Sequence, residues 1–221
     1  MKVLNLYCGG GGNRKLWDDV EVTAIEHDPE IAKVYQGFFP DDEVIVTDAH
    51  QFLLDNFKDY DFILSSPPCP THSITNNYLH VQGVIRYPDM KLYEEIVFLK
   101  QFHKGYFCVE NVKSYYVPLI TPVEIDRHYF WANFHITPFT TPKRDFNITN
   151  ARIVSRVPNK KYSKKLAEFH GFPWCEELGN DFQILVFKNM VYPPLGKHIL
   201  DCAKGNTVKP LTEFMEARVR E

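Results

Sequence analysis

The chain has 221 residues, 44% of them hydrophobic, which suits one substantial core with a modest extension. No apolar run is long enough to span a membrane, and the N-terminus leads into a strand pattern rather than a signal peptide, so a cytoplasmic protein is expected. Five cysteines without paired spacing argue against a zinc site and a disulfide framework. The formal net charge of -3 excludes a globally basic nucleic-acid-binding protein, so any basic surface must be local.

The first apolar run, residues 3–7, ends at a glycine turn of four consecutive glycines at 9–12. Asn13 can then cap a helix through Leu16 and Trp17. A strand, a glycine turn and a helix N-terminus predict the opening of a Rossmann-like unit, in which glycines let the backbone approach a ligand closely. The third glycine of the dinucleotide fingerprint is absent, so a plain tight turn stays open as an alternative.

Acidic residues follow the next two apolar runs. Residues 20–25 lead to Glu26-His27-Asp28, and Glu26 at the tip of a second strand is placed to accept hydrogen bonds from ribose hydroxyls. Residues 44–46 lead to Asp48, which either caps the following helix or meets the adenine of a nucleoside ligand. These two roles of Asp48 can coexist.

A cysteine framed by prolines follows the fourth run, in Pro67-Pro68-Cys69-Pro70. Prolines fix φ, so they hold a stiff, extended turn that presents the thiol at a defined angle. A nucleophilic thiolate must be partly exposed, rigidly aimed and electrostatically activated, whereas a buried structural cysteine needs no such frame. Cys69 is therefore a candidate nucleophile, with a plain proline-rich loop as the alternative. Residues 71–87 lack periodicity and predict a long loop over this site.

A helical pattern at 89–100 precedes a fifth strand at 106–109, which ends in Glu110-Asn111-Val112. A carboxyl beside an attacking thiol can be held protonated by burial and act as an acid, although a loop carboxylate that caps the next turn is the alternative. Strands that alternate with helices predict an α/β fold with a doubly wound, mostly parallel sheet. Its ligands are expected at the carboxyl ends of the strands, where all these candidates fall.

Taken in order, these motifs resemble those of the cytosine-C5 DNA methyltransferase family. Residues 5–12 resemble the loop that holds S-adenosylmethionine, and Glu26 and Asp48 resemble the two acidic residues that contact its ribose and adenine. The prolines and Cys69 resemble the catalytic Pro-Cys motif, and residues 110–112 resemble the family's Glu-Asn-Val motif. Residues 127–130 are a degenerate counterpart of the arginine-bearing strand beside the flipped base.

The resemblance continues toward the C-terminus. Residues 166–173 resemble the family's helix ending in Gly-Phe-Pro, and residues 183–184 and 188–195 resemble the final motif, which returns to cover the cofactor. Residues 205–208 are a competing match for that motif. The chain departs from the family pattern at Asn5, where aspartate is usual, at Pro70, where glutamine is usual, and at Lys188, where glycine is expected.

The resemblance implies an S-adenosylmethionine-dependent methyltransferase fold with a small recognition insertion. It divides the chain into a catalytic and cofactor-binding core at 1–136, a reduced target-recognition segment at 137–175 and a C-terminal return to the core at 176–221. The implied catalytic residues are Cys69, Glu110 and Arg127. The implied cofactor-binding residues are Tyr7, Gly9, Gly11, Gly12, Glu26, His27, Asp48, Ala49, Pro67, Asn189 and Val191. No metal is expected.

The implied reaction is methylation of C5 of cytosine in DNA. Cys69 would add to C6 of a flipped-out base, Glu110 would protonate or hydrogen-bond N3, and Arg127 would hold the O2 edge or Glu110 itself. Residues 143–165 carry many basic side chains and are interpreted as the main phosphate-contacting surface, with a solvated face as the alternative. The expected nucleic-acid contacts are Ser73, Arg144, Arg152, Arg156, Lys160 and Lys161.

Three rival functions stay open. A cytosine-C5 methyltransferase acting on tRNA shares the same motifs. A catalytically silent regulator that binds cofactor or nucleic acid would leave the motifs of Cys69 and Glu110 unused, and a dinucleotide-dependent oxidoreductase would use only the glycine turn and Glu26. The small size is associated with phage- or mobile-element-encoded enzymes, and a homodimer or a partner subunit could supply recognition contacts.

Overall fold

The computed structural model of the protein describes residues 1–143, 160–173 and 179–205. Its strands are β1 (Lys2–Leu6), β2 (Glu21–Glu26), β3 (Glu43–Val46), β4 (Phe62–Ser65), β5 (Tyr106–Val112), β6 (Val123–Ile125) and β7 (His128–Ala132). They form one seven-stranded sheet in the order β3-β2-β1-β4-β5-β7-β6. The first five strands of that order pair in parallel, and β7 is antiparallel to β5 and β6. The predicted α/β, mostly parallel sheet is thereby confirmed.

Seven α-helices accompany the sheet in the described part of the chain. They are α1 (Pro29–Phe38), α2 (Ala49–Asn56), α3 (Asn76–Val81), α4 (Lys91–Phe102), α5 (Lys160–His170), α6 (Asn180–Lys188) and α7 (Pro193–Ala203). Asp28 and Asp48 begin α1 and α2 as N-caps, each accepting hydrogen bonds from backbone N–H groups of the first turn. Among the described helices, none has the length and apolar character needed to cross a membrane.

Helices cover both faces of the sheet. On one face, α2 and α4 pack through Leu53 and Ile96 onto alternate residues of the central strands, such as Leu4 and Ile63. On the other face, α7 packs with α1 over the intervening strand residues, and Ile199 is one of its buried side chains. A third apolar cluster joins α5 and α6 to the outer side of α1. Burial on both faces explains why the strands read as continuous apolar runs rather than as alternating ones.

The predicted helix after the glycine turn does not form, and this prediction was wrong. Residues 13–16 make successive turns instead. The side chain of Asn13 does not cap a helix. It pairs with the amide of Asn5 instead, and its Nδ2 donates to Asn5 Oδ1 at 2.8 Å. Helix α7 packs against this segment, where Trp17 Nε1 donates to the backbone oxygen of Gly196 at 3.0 Å.

The segment at 71–87 is more ordered than the predicted loop, because it contains the short helix α3. An isolated bridge between Ser73 and Ser114 ties its start to the chain that follows β5. The buried Asn76 donates to the backbone oxygens of Pro70 and Ser73 at 2.9 and 3.0 Å. The remaining residues between α3 and α4 are irregular and mostly exposed.

Candidate active site

The sheet brings the predicted site residues to one edge. β1 lies between β2 and β4, and β5 lies next to β4, so the carboxyl ends of these four parallel strands are neighbours. The glycine turn follows β1, Glu26 ends β2, the Cys69 turn follows β4, and Glu110 lies within β5. Residues far apart in the chain therefore surround one crevice, where open α/β sheets bind their ligands.

A hydrogen bond fixes the cysteine turn against β5. Asn111 Nδ2 donates to the backbone oxygen of Pro67 at 2.9 Å, and both groups are buried. The backbone oxygen of Cys69 accepts from the N–H groups of His72 and Ser73, which closes the turn on its other side. Cys69 itself is partly exposed, as the prediction of a presented thiol requires. Together, these bonds keep the thiol close to the Glu110 carboxyl.

The surroundings of Cys69 do not favour the thiolate. Burial raises the pKa of Cys69, and the negative charge of Glu110 raises it further, while Lys188 and Arg127 act in the opposite direction. The expectation of an electrostatically activated thiol is therefore not met by the protein alone. Loss of the Glu110 charge, or a compensating positive charge at the site, would lower the pKa of Cys69 and favour the thiolate.

The partner of Glu110 is a histidine to which the sequence analysis gave no role. His128 Nδ1 lies 2.5 Å from Glu110 Oε1, and the two side chains are 15% and 9% exposed. Arg127 lies in the turn between β6 and β7 and is exposed, rather than on the strand itself. Antiparallel pairing sets Glu110 opposite Phe130, which places His128 diagonally beside Glu110 on the same face.

A second buried carboxylate, Glu95 on α4, was also missed. Its Oε1 accepts from Tyr7 Oη at 2.6 Å and lies 3.0 Å from His50 Nδ1, and its Oε2 accepts from Ser65 Oγ at 2.6 Å. The sequence pattern predicted a helix at 89–100 but assigned no role to position 95. The carboxylate ties together the ends of β1 and β4 and the first turn of α2, which all border the crevice.

The predicted ribose-binding and adenine-binding carboxylates lie on the β2 and β3 side of the crevice. Glu26 Oε2 accepts from the backbone N–H of Gly9 at 3.0 Å, and its Oε1 accepts from the N–H groups of His27 and Asp28. Asp48 accepts from Gln51 N at 2.8 Å, and this backbone hydrogen bond is the largest cause that lowers the pKa of Asp48. The capping role of Asp48 is therefore confirmed, and its carboxylate remains exposed at the edge.

Comparison with known proteins identifies the family. A profile described as C-5 cytosine-specific DNA methylase matches residues 1–116, slightly more than half of the chain. The chain belongs to this family. The matched part of the methylase contains Cys69 and Glu110, whereas Arg127, Asn189 and Val191 lie beyond it. Among curated proteins, no match to the sequence was found.

A solved structure shares the fold of the methylase over nearly its whole length. The Entamoeba histolytica methyltransferase EhMeth has a TM-score of 0.60 at 12% identity, over 95% of this chain and 99% of that chain. A mutant of Spodoptera frugiperda DNMT2 has a TM-score of 0.36 at 27% identity, over 52% of this chain and 36% of that chain. A putative DNA modification methyltransferase encoded within a prophage (E. coli) has a TM-score of 0.40 at 18% identity, over 60% and 46% of the two chains.

Most glycines in the turn of the methylase are required by close packing against other parts of the same chain. A Cβ on Gly11 would lie 2.2 Å from the Phe39 ring, and a Cβ on Gly12 would lie 2.3 Å from the backbone oxygen of Val191. Gly9 differs, because it has a φ of +54° and no atom of the described residues within 4 Å of its Cβ position. Most glycines here thus allow close packing of α6 and the segment after it, and Gly9 faces open space.

The crevice of the methylase fits an adenosyl cofactor on three observations. Gly9 opens into it, Glu26 and Asp48 offer carboxylate oxygens at its rim, and the buried Ser66 Oγ has no hydrogen-bond partner among the described residues. Ala49 and Pro67 are buried beside these groups, and His27 is exposed next to Glu26. No cluster of three or more metal-binding side chains was found within the described ranges.

Few of the predicted nucleic-acid contacts fall in the described part of the methylase. Ser73 lies on the cysteine turn and is partly exposed. Arg144, Arg152 and Arg156 lie outside the described residues. Residues 160 and 161, both lysines, begin α5, and only their backbone is described. Helix α5 ends at His170, and Gly171 follows with a φ of +68°, as the resemblance at 166–173 implied.

Proposed function

We propose that this methylase transfers a methyl group from S-adenosylmethionine to C5 of cytosine in DNA, through a covalent adduct between Cys69 and a flipped-out base. The observation that carries the proposal is the hydrogen bond from Asn111 to the backbone of Pro67. It holds the Cys69 turn against the strand that carries Glu110, so that a nucleophile and an acid share one crevice with the glycine turn.

The chemistry begins at Cys69, whose thiol loses its proton to solvent before its sulfur bonds to C6 of the base. The π electrons of the C5–C6 bond shift to C4–C5, and those of the C4–N3 bond shift onto N3. Glu110, which takes up a proton from solvent as the base binds, gives that proton to N3, and C5 becomes enamine-like. S-adenosylmethionine, when bound, supplies the electrophilic methyl group that C5 receives. Water then takes the C5 proton, N3 returns its proton to Glu110, and the bond between sulfur and C6 breaks to release 5-methylcytosine.

In this scheme, other residues of the protein bind the cofactor and exclude water from the site. Glu26, Asp48 and Gly9 hold the adenosyl group, and Asn189 and Val191 close the crevice from the side of the glycine turn. A base stacked in a duplex cannot reach Cys69, so it must be flipped beneath the segment at 71–87. Residues 1–136 form the catalytic core in this proposal, 137–175 a reduced recognition segment and 176–221 the return to the core.

The substrate is tested by methyl transfer itself. Purified protein is incubated with labelled S-adenosylmethionine and either DNA of mixed sequence or total tRNA, and the products are mapped at base resolution for 5-methylcytosine. We expect label in DNA at C5 of cytosine within a short or degenerate sequence. Label in tRNA alone would show that the substrate is RNA rather than DNA. Cofactor binding without label in either nucleic acid would indicate a catalytically silent regulator.

The covalent step is tested with DNA that contains 5-fluorocytosine, because fluorine cannot leave C5 as a proton does. We expect a stable adduct at Cys69 in the wild type and none in Cys69→Ala, with cofactor binding nearly unchanged in the variant. Cys202→Ala is the matched control, since Cys202 is a buried cysteine on α7. Methylation of ordinary DNA without any trapped adduct would contradict the mechanism.

A further inference from the structure

The contact between His128 and Glu110 joins two side chains that are largely removed from water. Nδ1 and Oε1 are 2.5 Å apart, within hydrogen-bonding distance. The imidazole also stacks on Phe130, with ring centroids 6.3 Å apart and an interplanar angle of 17°. Strand pairing and stacking therefore both fix the imidazole, and the imidazole fixes the carboxyl.

The charge of Glu110 matters to Cys69, because it is the second largest cause that raises the pKa of the thiol. An imidazolium 2.5 Å from the carboxylate would offset that charge, whereas a neutral imidazole would not. Histidine is the side chain whose charge changes within the physiological pH range. A permanently charged residue in this position would make no such difference between neutral and alkaline solution.

We infer that His128 is the positioning residue of Glu110 and, as the imidazolium, its counter-charge, so that the reaction at Cys69 depends on protonation of His128. This inference deepens the proposed function and rests on it for the reaction. The coupling among the three side chains, by contrast, is a property of the free protein and can be measured without substrate.

Other ionisable groups face the pair from each neighbouring element. The Cys108 thiol lies behind Glu110 on β5, where burial keeps its pKa well above the ordinary value, so it stays neutral. Hydrogen bonds from Thr141 lower the pKa of Asp126, and the nearby positive charges of His128 and Arg127 lower it further, so Asp126 stays ionised in the turn before His128. Further along β5 and β6, the ion pair of Lys113 with Glu124 adds no net charge.

Three variants separate charge from geometry. His128→Asn keeps an N–H donor near the position of Nδ1 but cannot carry charge, and His128→Arg keeps a positive charge at every pH. His135→Asn is the matched control, since His135 is an exposed histidine just beyond β7. Circular dichroism and thermal melting of each variant establish that it is folded before rates are compared.

The first measurement is alkylation of Cys69 by iodoacetamide in the free protein, read by peptide mass spectrometry across pH. In His128→Asn the carboxylate loses its counter-charge, so the pKa of Cys69 should rise further. A rise of one unit slows alkylation at neutral pH about tenfold. His128→Arg and His135→Asn should match the wild type near neutral pH. Equal alkylation profiles in the wild type and His128→Asn would overturn the inference, whatever the substrate proves to be.

The second measurement is the pH profile of kcat on DNA. Because the Cys69 thiolate and the His128 imidazolium are needed together, kcat of the wild type should rise with pH and then fall. His128→Arg should lose the alkaline fall, and His128→Asn should have a lower kcat near neutral pH with little change in KM for DNA. If His128→Arg is as slow as His128→Asn, or if the alkaline fall persists in it, the counter-charge role is wrong.

Discussion

Glu95 shows how much of the site depends on one buried carboxylate. It is fully buried on α4, and three donors converge on it from the ends of β1 and β4 and from α2. Tyr7, one of these donors, has a φ of +54°, a backbone conformation that costs free energy unless its surroundings hold it. The carboxylate therefore holds in place the residue that opens the glycine turn.

Replacement of Glu95 should have a much larger effect than replacement of its exposed neighbour Glu94. Glu95→Gln sets an N–H group against converging donors, so we expect a loss of about 2–3 kcal/mol in the free energy of unfolding, measured in urea. Weaker binding of S-adenosylmethionine should follow by calorimetry, since the glycine turn loses its tie. Glu94→Gln, whose side chain is 60% exposed, is the control and should change stability by less than about 0.5 kcal/mol. A stable Glu95→Gln protein with wild-type cofactor affinity would contradict this assignment.

Among the secondary-structure elements, α7 packs against the segment after β1, where the sequence predicted a helix that does not form. Gly196 allows the two backbones to meet, because a Cβ there would lie 2.4 Å from the backbone oxygen of Asn13. Trp17 completes the contact by donating to the Gly196 oxygen, and its ring is buried against Phe62. Helix α7, the last of the described helices, is thus part of the layer that supports the glycine turn.

Two helical glycines test this packing. Gly196→Ala must displace backbone, so we expect it to lower the free energy of unfolding by about 1–3 kcal/mol. Gly37→Ala, on the exposed side of α1 with nothing within 4 Å of its Cβ, should raise it by about 0.5–1 kcal/mol through helix propensity. The free energy of unfolding of both variants is measured by urea denaturation. If both changes stabilise the protein, α7 does not pack closely on the turn.

For the molecule as a whole, the net charge of -3 contrasts with the basic run at 143–165. A chain with this balance does not attract nucleic acid over its entire surface, so binding must depend on a local region. The proposed region adjoins the start of α5, which packs with α6 against the outer side of α1. We propose it as the phosphate-contacting surface of the methylase.

Salt dependence measures this proposal directly. The quadruple variant with alanine at 152, 156, 160 and 161 should bind all DNA sequences more weakly. Each lost phosphate contact should remove roughly one unit from the slope of log affinity against log salt. A double variant, Lys33→Ala with Lys58→Ala, removes exposed lysines elsewhere and should keep the slope. A quadruple variant with an unchanged slope, or with lost affinity for one sequence only, would exclude this surface.

The sequence by itself determined the five parallel strands, their order along the chain and the residues at their ends. Apolar runs that stop at glycine, proline or a carboxylate are local patterns, and parallel strands bring such ends to one edge. Asp48 as a helix cap and Gly171 after α5 follow from equally local chemistry.

Only the tertiary structure decided which side chains meet within that edge. His128 reaches Glu110 through the register of β5 with β7, and the three donors to Glu95 come from three separate elements. The helix predicted after the glycine turn does not form, and α7, from far along the chain, packs against those residues. Such contacts depend on sheet order, register and packing, whereas periodicity and capping patterns report only on neighbours in the chain.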